Sequence, residues 1–174
     1  MNNANTERLI WLDGNIVRLS EAKINVLAPT SQFGANVFEG IRCYWNDEKK
    51  QLFAFRLADH YRRLKNSMKM FRMDDKYSIE ELTDSLIKVV RANQYKEDIA
   101  VRQTVFIDGF GSWMSSGPIN MFIAPIPKGR TVSDSRSGMK CCVSSWERIS
   151  DRNLSPKVKV GANYINSRMA QMEA

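Results

Sequence analysis

Ile99-Ala100-Val101-Arg102-Gln103-Thr104-Val105-Phe106-Ile107 alternates with period two over most of its length and runs into a Gly- and Ser-rich stretch, Asp108 to Pro118. Period two marks a strand, because successive side chains leave opposite faces of the pleated backbone. The stretch therefore reads as a strand with Arg102 directed to one face, followed by a loop or wide hairpin turn. Ile119 to Ala124 reads as the returning strand.

Working outward, Leu9-Ile10-Trp11-Leu12, Asp13-Gly14-Asn15 and Ile16-Val17-Arg18-Leu19 spell a β-hairpin opening the domain. Ile24-Asn25-Val26-Leu27 before Pro29 reads as a short edge element, since proline cannot donate to a ladder. The second half of Phe33 to Trp45 has strand composition, Asn46 to Lys50 is a polar turn, and Leu52-Phe53-Ala54-Phe55 is the partner strand. Leu57, Tyr61, Leu64, Met68 and Phe71 recur at helical spacing. A second helix starts at Ser78, which forms a capping-box pattern with Glu81, and ends near Asn93 and Gln94. Strands and helices in this arrangement predict an α+β fold.

Pro125-Ile126-Pro127-Lys128-Gly129 marks the best domain boundary, with Arg130 to Gly138 as a polar connector. Met139 to Ser145 then reads as a strand opening something new, and a helix beginning near Ala162 is still running at Ala174. At 174 residues the chain is long enough for one domain plus the start of a second. Its apolar runs are too short to cross a bilayer and residues 1–8 have no signal-peptide centre, so we expect a soluble, cytoplasmic protein. Three cysteines (Cys43, Cys141, Cys142) and one histidine (His60) lack metal-ligand spacing, so no metal site is expected. The net charge of +7 is scattered. Clusters such as Arg62-Arg63-Leu64-Lys65 lie on a helical pattern without a nucleic-acid motif, so neither nucleic acid nor membrane is expected as a partner.

The stretch with chemical promise is Lys157-Val158-Lys159-Val160-Gly161-Ala162-Asn163-Tyr164-Ile165-Asn166-Ser167. It places a lysine at a strand end, two small residues after it, and a polar, aromatic run that opens a helix. A lysine held against Val158, Val160 and Ala162 would have its charged form disfavoured, freeing the amine for Schiff-base chemistry. Lys159 is the candidate, with Tyr164 as a phenol and Arg63 and Arg102 as fixed cations. An imine-forming amine needs a carbonyl cofactor, and a guanidinium fork suits a phosphate, which is the logic of pyridoxal phosphate. Structural alternatives stay open: Lys157 and Lys159 on an exposed edge strand, Arg63 capping a helix face, Arg102 paired across the sheet, Tyr164 in the core.

Four blocks carry a resemblance: Val37-Phe38-Glu39-Gly40-Ile41-Arg42-Cys43-Tyr44, Phe55 to Leu64 with its His60-x-x-Arg63-Leu64 element, Val143-Ser144-Ser145-Trp146-Glu147-Arg148, and Lys159 to Ser167. In order and spacing they resemble the branched-chain amino-acid aminotransferases, the class IV, fold type IV pyridoxal phosphate enzymes. The resemblance implies a two-layer α/β amino-terminal domain over 1–126, a connector over 127–138, and over 139–174 the start of a second, barrel-like α/β domain that binds the cofactor. It implies a homodimer or higher homo-oligomer in branched-chain amino-acid biosynthesis. The reaction would move an amino group between an amino acid and a 2-oxo acid such as 2-oxoglutarate, through a Schiff base on catalytic Lys159. Arg63 would bind the cofactor phosphate and Tyr164 its phenolic oxygen, while Phe38, Gly40 and Arg102 would line the substrate pocket. Departures from the family pattern are Ala100, Phe33 and Arg130, each where a tyrosine is common, which put branched-chain specificity in doubt. The resemblance also implies a longer second domain than 174 residues hold, so the chain is expected to be incomplete. The alternative reading is a non-catalytic remnant or interaction module.

Overall fold

Asp13 and Gly14 carry φ of 44° and 90°, the left-handed pair that a two-residue hairpin turn requires. They join β1 (Leu9–Leu12) to β2 (Asn15–Arg18) in the expected antiparallel register, Leu9 opposite Arg18. The computed structural model describes residues 7–129 and 140–174. After β2 the chain departs from expectation, because residues 24–27 form no strand and Pro29 opens a short helix, α1 (Pro29–Phe33). Proline at the first helical position lacks only an N–H that would have no intrahelical partner there. Gly34, at φ 67°, closes α1 with its N–H on the Pro29 and Thr30 carbonyls. The Pro29…Gly34 spacing was the sequence signal for this helix.

β3 (Asn36–Asn46) and β4 (Gln51–Ala54) form the second hairpin, paired from Cys43–Ala54 to Asn46–Gln51. Two helices follow, α2 (Leu57–Met70) and α3 (Ile79–Asn93). The capping box at the start of α3 is present in full: Ser78 Oγ accepts from the Glu81 N–H, and the Glu81 carboxylate accepts from the Ser78 N–H. β5 (Ile99–Ile107) and β6 (Ile119–Pro127) complete a six-stranded antiparallel sheet in the order β2-β1-β6-β5-β3-β4. Pro125 and Pro127 lie inside β6 beyond its two-residue pairing with β1, where the missing N–H groups break no ladder on that side.

The strand alternation separates two faces. Val37, Ile41 and Cys43 of β3, Val101 and Val105 of β5, and Met121 and Ile123 of β6 pack with Tyr61, Leu64 and Met68 of α2 and Leu82, Leu86 and Val89 of α3. Each such side chain contributes about 1.5–3 kcal/mol by leaving water, and this shared core fixes how α2 lies on β3. The opposite face carries Phe38, Gly40, Arg102, Thr104 and Phe122.

The carboxy-terminal segment contains a 3-10 turn, Gly161–Asn163, and α4 (Tyr164–Glu173). The strand expected over 139–145 does not form across 140–145, and Met139 and the connector 130–138 lie outside the described residues. The Ser145 N–H instead donates to the Glu173 carboxylate at 3.0 Å, which replaces a ladder partner. Among the described residues no helix is long and apolar enough to cross a membrane.

Candidate functional site

β4 pairs with residues 43–46 of β3 and the Phe55 N–H just after it donates to the Arg42 carbonyl, so the edge of β3 is left open by β4 from Asn36 to Ile41. Unpaired backbone groups at a sheet edge need partners, and the segment ending at Val160 supplies them. Val160 bridges antiparallel to Val37, and the Phe38 N–H donates to the Lys159 carbonyl at 3.0 Å. From the helical side, Ser67 Oγ of α2 accepts from the Lys159 N–H at 3.2 Å. Ser67 is wholly buried, as is Val160 nearly so, which anchors the lysine backbone between the sheet edge and α2.

The next residues hold the turn after the lysine. Buried Asn163 donates from Nδ2 to the Ser155 and Val158 carbonyls, each at 3.1 Å, tying the segment before Lys159 to the start of α4. A Cβ on Gly161 would fall 2.6 Å from Asn36 Oδ1, so any larger residue would have to displace that side chain. Gly34 also meets this turn, its own Cβ position 3.4 Å from Ala162, an ordinary van der Waals contact.

Lys159 Nζ donates to the Tyr164 hydroxyl in a short hydrogen bond. The amine also lies 4.6 Å from the centroid of the Phe38 ring and 5.0 Å from that of Tyr164. The apolar neighbours named from sequence play another part, because residues adjacent in an extended segment point away from one another. Val160 is core, Val158 packs against it, and the amine meets aromatic rings. Lys157 is exposed, its ammonium 3.4 Å from Asp151.

Two cavities flank Tyr164. One, of about 210 Å³, is lined by Arg63, Arg148, Lys157, Lys159, Asn163 and Tyr164 among others. The other, of about 280 Å³, lies on the open sheet face against Asn36, Phe38, Arg102, Thr104, Phe122 and Tyr164. In the second, the Arg102 guanidinium stacks on Phe38 at 4.2 Å. Gly40, directly opposite Arg102 across the ladder, has open space where a Cβ would stand. Ala100 is on the same face, opposite Arg42. Phe33 ends α1 half-exposed, and Arg130 lies outside the described residues.

Arg63 reaches the first cavity from α2. Its Nε and Nη2 donate to Glu39 Oε1 and Oε2, each at 2.6 Å, and Glu39 also faces His60 Nδ1 at 2.8 Å. The Glu39 hydrogen bond holds the guanidinium above its ordinary pKa. Every sequence-named site residue except Gly40 thus lines one of the two cavities. Ser67, Asn163, Glu39 and Arg148 were missed. For Ser67 the available signal was a small polar residue on the apolar stripe of α2, and for Glu39 a carboxylate in a buried strand register. A larger cavity of about 470 Å³ between β4 and α3 is lined chiefly by Leu52, Phe53, Leu57, Leu86, Ile87 and Val90, with Lys50, Arg91 and Tyr95 also on its lining, and contains none of the site residues named from sequence.

The fold, an antiparallel sheet backed by two helices, is matched in known proteins. The amino-transferase class IV family matches residues 36–174, and the chain belongs to that family. It is 33% identical to the branched-chain-amino-acid aminotransferase of Salmonella typhimurium over 95% of this chain and 54% of that one. With that of Pseudomonas aeruginosa it shares 32% identity over 100% of this chain and 57% of the relative. The crystal structure of branched-chain aminotransferase from Thermoproteus uzoniensis with norvaline superposes with a TM-score of 0.87 at 39% identity, covering 95% of this chain and 55% of that one. The holo, PLP-form enzyme of Thermobaculum terrenum gives 0.81 at 34% identity, with 98% and 56% covered. The chain spans about half the length of the relatives it matches.

Proposed function

We propose that this protein is a pyridoxal phosphate-dependent aminotransferase, moving an amino group between a branched-chain or related amino acid and a 2-oxo acid such as 2-oxoglutarate. The observation that carries this reading is the Lys159–Tyr164 pair, fixed at the open edge of β3 and facing Arg63 across one cavity, in a member of class IV. The donor set suits the cofactor: a primary amine for its aldehyde, a phenol for its ring oxygen and a guanidinium for its phosphate. When bound, the cofactor supplies an electron sink for the bonds at the substrate α-carbon.

The chain's own residues divide the remaining work. Lys159 Nζ would hold the cofactor through its aldehyde and, as a free amine, would serve as the base that moves the proton at the substrate α-carbon. Tyr164 holds that nitrogen from one side while Phe38 limits its excursions on the other. Arg102, stacked on Phe38 and exposed, is placed to receive a substrate carboxylate, and the gap over Gly40 gives the side chain room. Ala100 offers a methyl group where a phenol is common in the family, which favours a bulkier or more acidic amino donor than the branched-chain set. Phe110, Trp113 and Met114, 77%, 76% and 82% exposed in the β5–β6 loop, form an apolar surface that supports a homo-oligomer.

Borohydride reduction in the presence of pyridoxal phosphate tests the assignment. A covalent adduct is expected in the parent protein and in Lys157→Ala, and none in Lys159→Ala. An adduct that survives in Lys159→Ala and disappears in Lys157→Ala overturns it.

A further inference from the structure

Glu39 is the one wholly buried carboxylate among the described residues, and it stands on the helix-facing side of β3 between the core positions Val37 and Ile41. Burying an ion pair is weak as a stabilising device, since its desolvation offsets most of the attraction and a well-packed apolar side chain does as well or better. Stability therefore does not explain a carboxylate in this register. Its geometry does something else. Both oxygens are filled, Oε1 by Arg63 Nε and Oε2 by Arg63 Nη2 and His60 Nδ1. The side-on edge of the guanidinium is thereby fully used.

We propose that Glu39 is a positioning residue that orients Arg63, so that the Nη1–Nη2 edge of its guanidinium is presented to the phosphate-bearing end of the cofactor. This rests on the cofactor reading above. Three N–H groups remain on Arg63 beyond the two on Glu39, with Nη2 also 3.5 Å from His60 Nδ1 and Nη1 on the side away from Glu39. The side chain is still 52% exposed and lines the cavity of Lys159 and Tyr164. A long arginine free to rotate would lose rotamer entropy on meeting an anion, whereas one held by two hydrogen bonds to a rigid strand has already lost it. His60, one turn before Arg63 on α2, braces the carboxylate from the other side and keeps it from following the guanidinium.

The experiment compares dissociation constants of pyridoxal phosphate and of pyridoxal, which lacks the phosphate, by absorbance or fluorescence titration of the protein at its natural length. Both ligands see Lys159 and Tyr164, so their ratio isolates recognition of the phosphate. Glu39→Gln keeps the shape but weakens the grip on Arg63, and the preference for the phosphorylated form is expected to fall at least tenfold while pyridoxal affinity stays within about twofold. In an Arg63→Ala background the same substitution should change the ratio no further. Arg63→Lys should also lose the preference, because a point charge cannot pair with Glu39 and a phosphate in a fixed fork. An unchanged ratio in Glu39→Gln, or a retained preference in Arg63→Lys, overturns the role of Glu39 alone. A parent protein that binds both ligands equally overturns the cofactor reading beneath it.

Discussion

Ser67→Ala removes one oxygen from the protein and should detach the lysine segment without unfolding the sheet. Ser67 Oγ accepts the Lys159 N–H at 3.2 Å in a wholly buried position, and the Lys159 carbonyl in turn accepts from the Phe38 N–H at 3.0 Å. An alanine leaves the Lys159 N–H without its acceptor on the α2 side, and an unsatisfied buried donor costs about 1–3 kcal/mol. That penalty falls on the docked state of the segment alone, because α2 keeps Tyr61, Leu64 and Met68 in the core. Local opening should become more frequent by a factor of roughly 5 to 150. Amide hydrogen exchange reads this directly: the Lys159 and Phe38 amides should lose protection by that factor, while amides of the β5–β6 ladder keep theirs. Equal loss across the sheet would mean that Ser67 serves the core as a whole. Unchanged exchange at Phe38 would show that the bridge to Val37 holds the segment by itself, refuting the role given to α2.

Gly161→Ala should destabilise the fold by about 1–3 kcal/mol in denaturant unfolding, because the new Cβ meets Asn36 Oδ1 at 2.6 Å, and Asn36→Ala in the same chain should recover most of the loss. Cys43 is buried on β3, and burial pushes its thiol from 9.0 up to about 11. The folded state thus prefers the neutral thiol: its contribution is complete below pH 9.0, the unfolded value, and is lost as the pH rises toward about 11. Stability should decline across that window, and Cys43→Ala should flatten the decline. In the folded protein near neutral pH, a thiol reagent should modify exposed Cys141 and Cys142 quickly and reach Cys43 only after denaturant is added.

Local sequence determined most of the elements, because their signals act over a few residues. The period-two run from Ile99 to Ile107, the Asp13-Gly14 turn and the Ser78–Glu81 capping box each appear in the structure where the residues place them. α1 was misread because Pro29 breaks a ladder and also starts a helix, and only Gly34 five residues on distinguishes the two. The stretch 140–145 has strand composition, yet a strand forms only where a neighbour offers its backbone, and here the Glu173 carboxylate answers the Ser145 N–H instead.

The site divides in the same way. Lys159 and Tyr164 lie five residues apart and were legible as candidates from the segment that carries them, as was the resemblance that named Arg63, Phe38, Gly40 and Arg102, whereas the hydrogen bond between Lys159 and Tyr164 appears only in the structure. What the tertiary structure decided is why the lysine is held where it is. The length of β4 leaves the edge of β3 open, the helix-facing core sets Ser67 beneath that edge, and strand register buries Glu39 within reach of Arg63. The last two depend on partners separated by more than twenty residues along the chain, brought together by packing that no local pattern encodes.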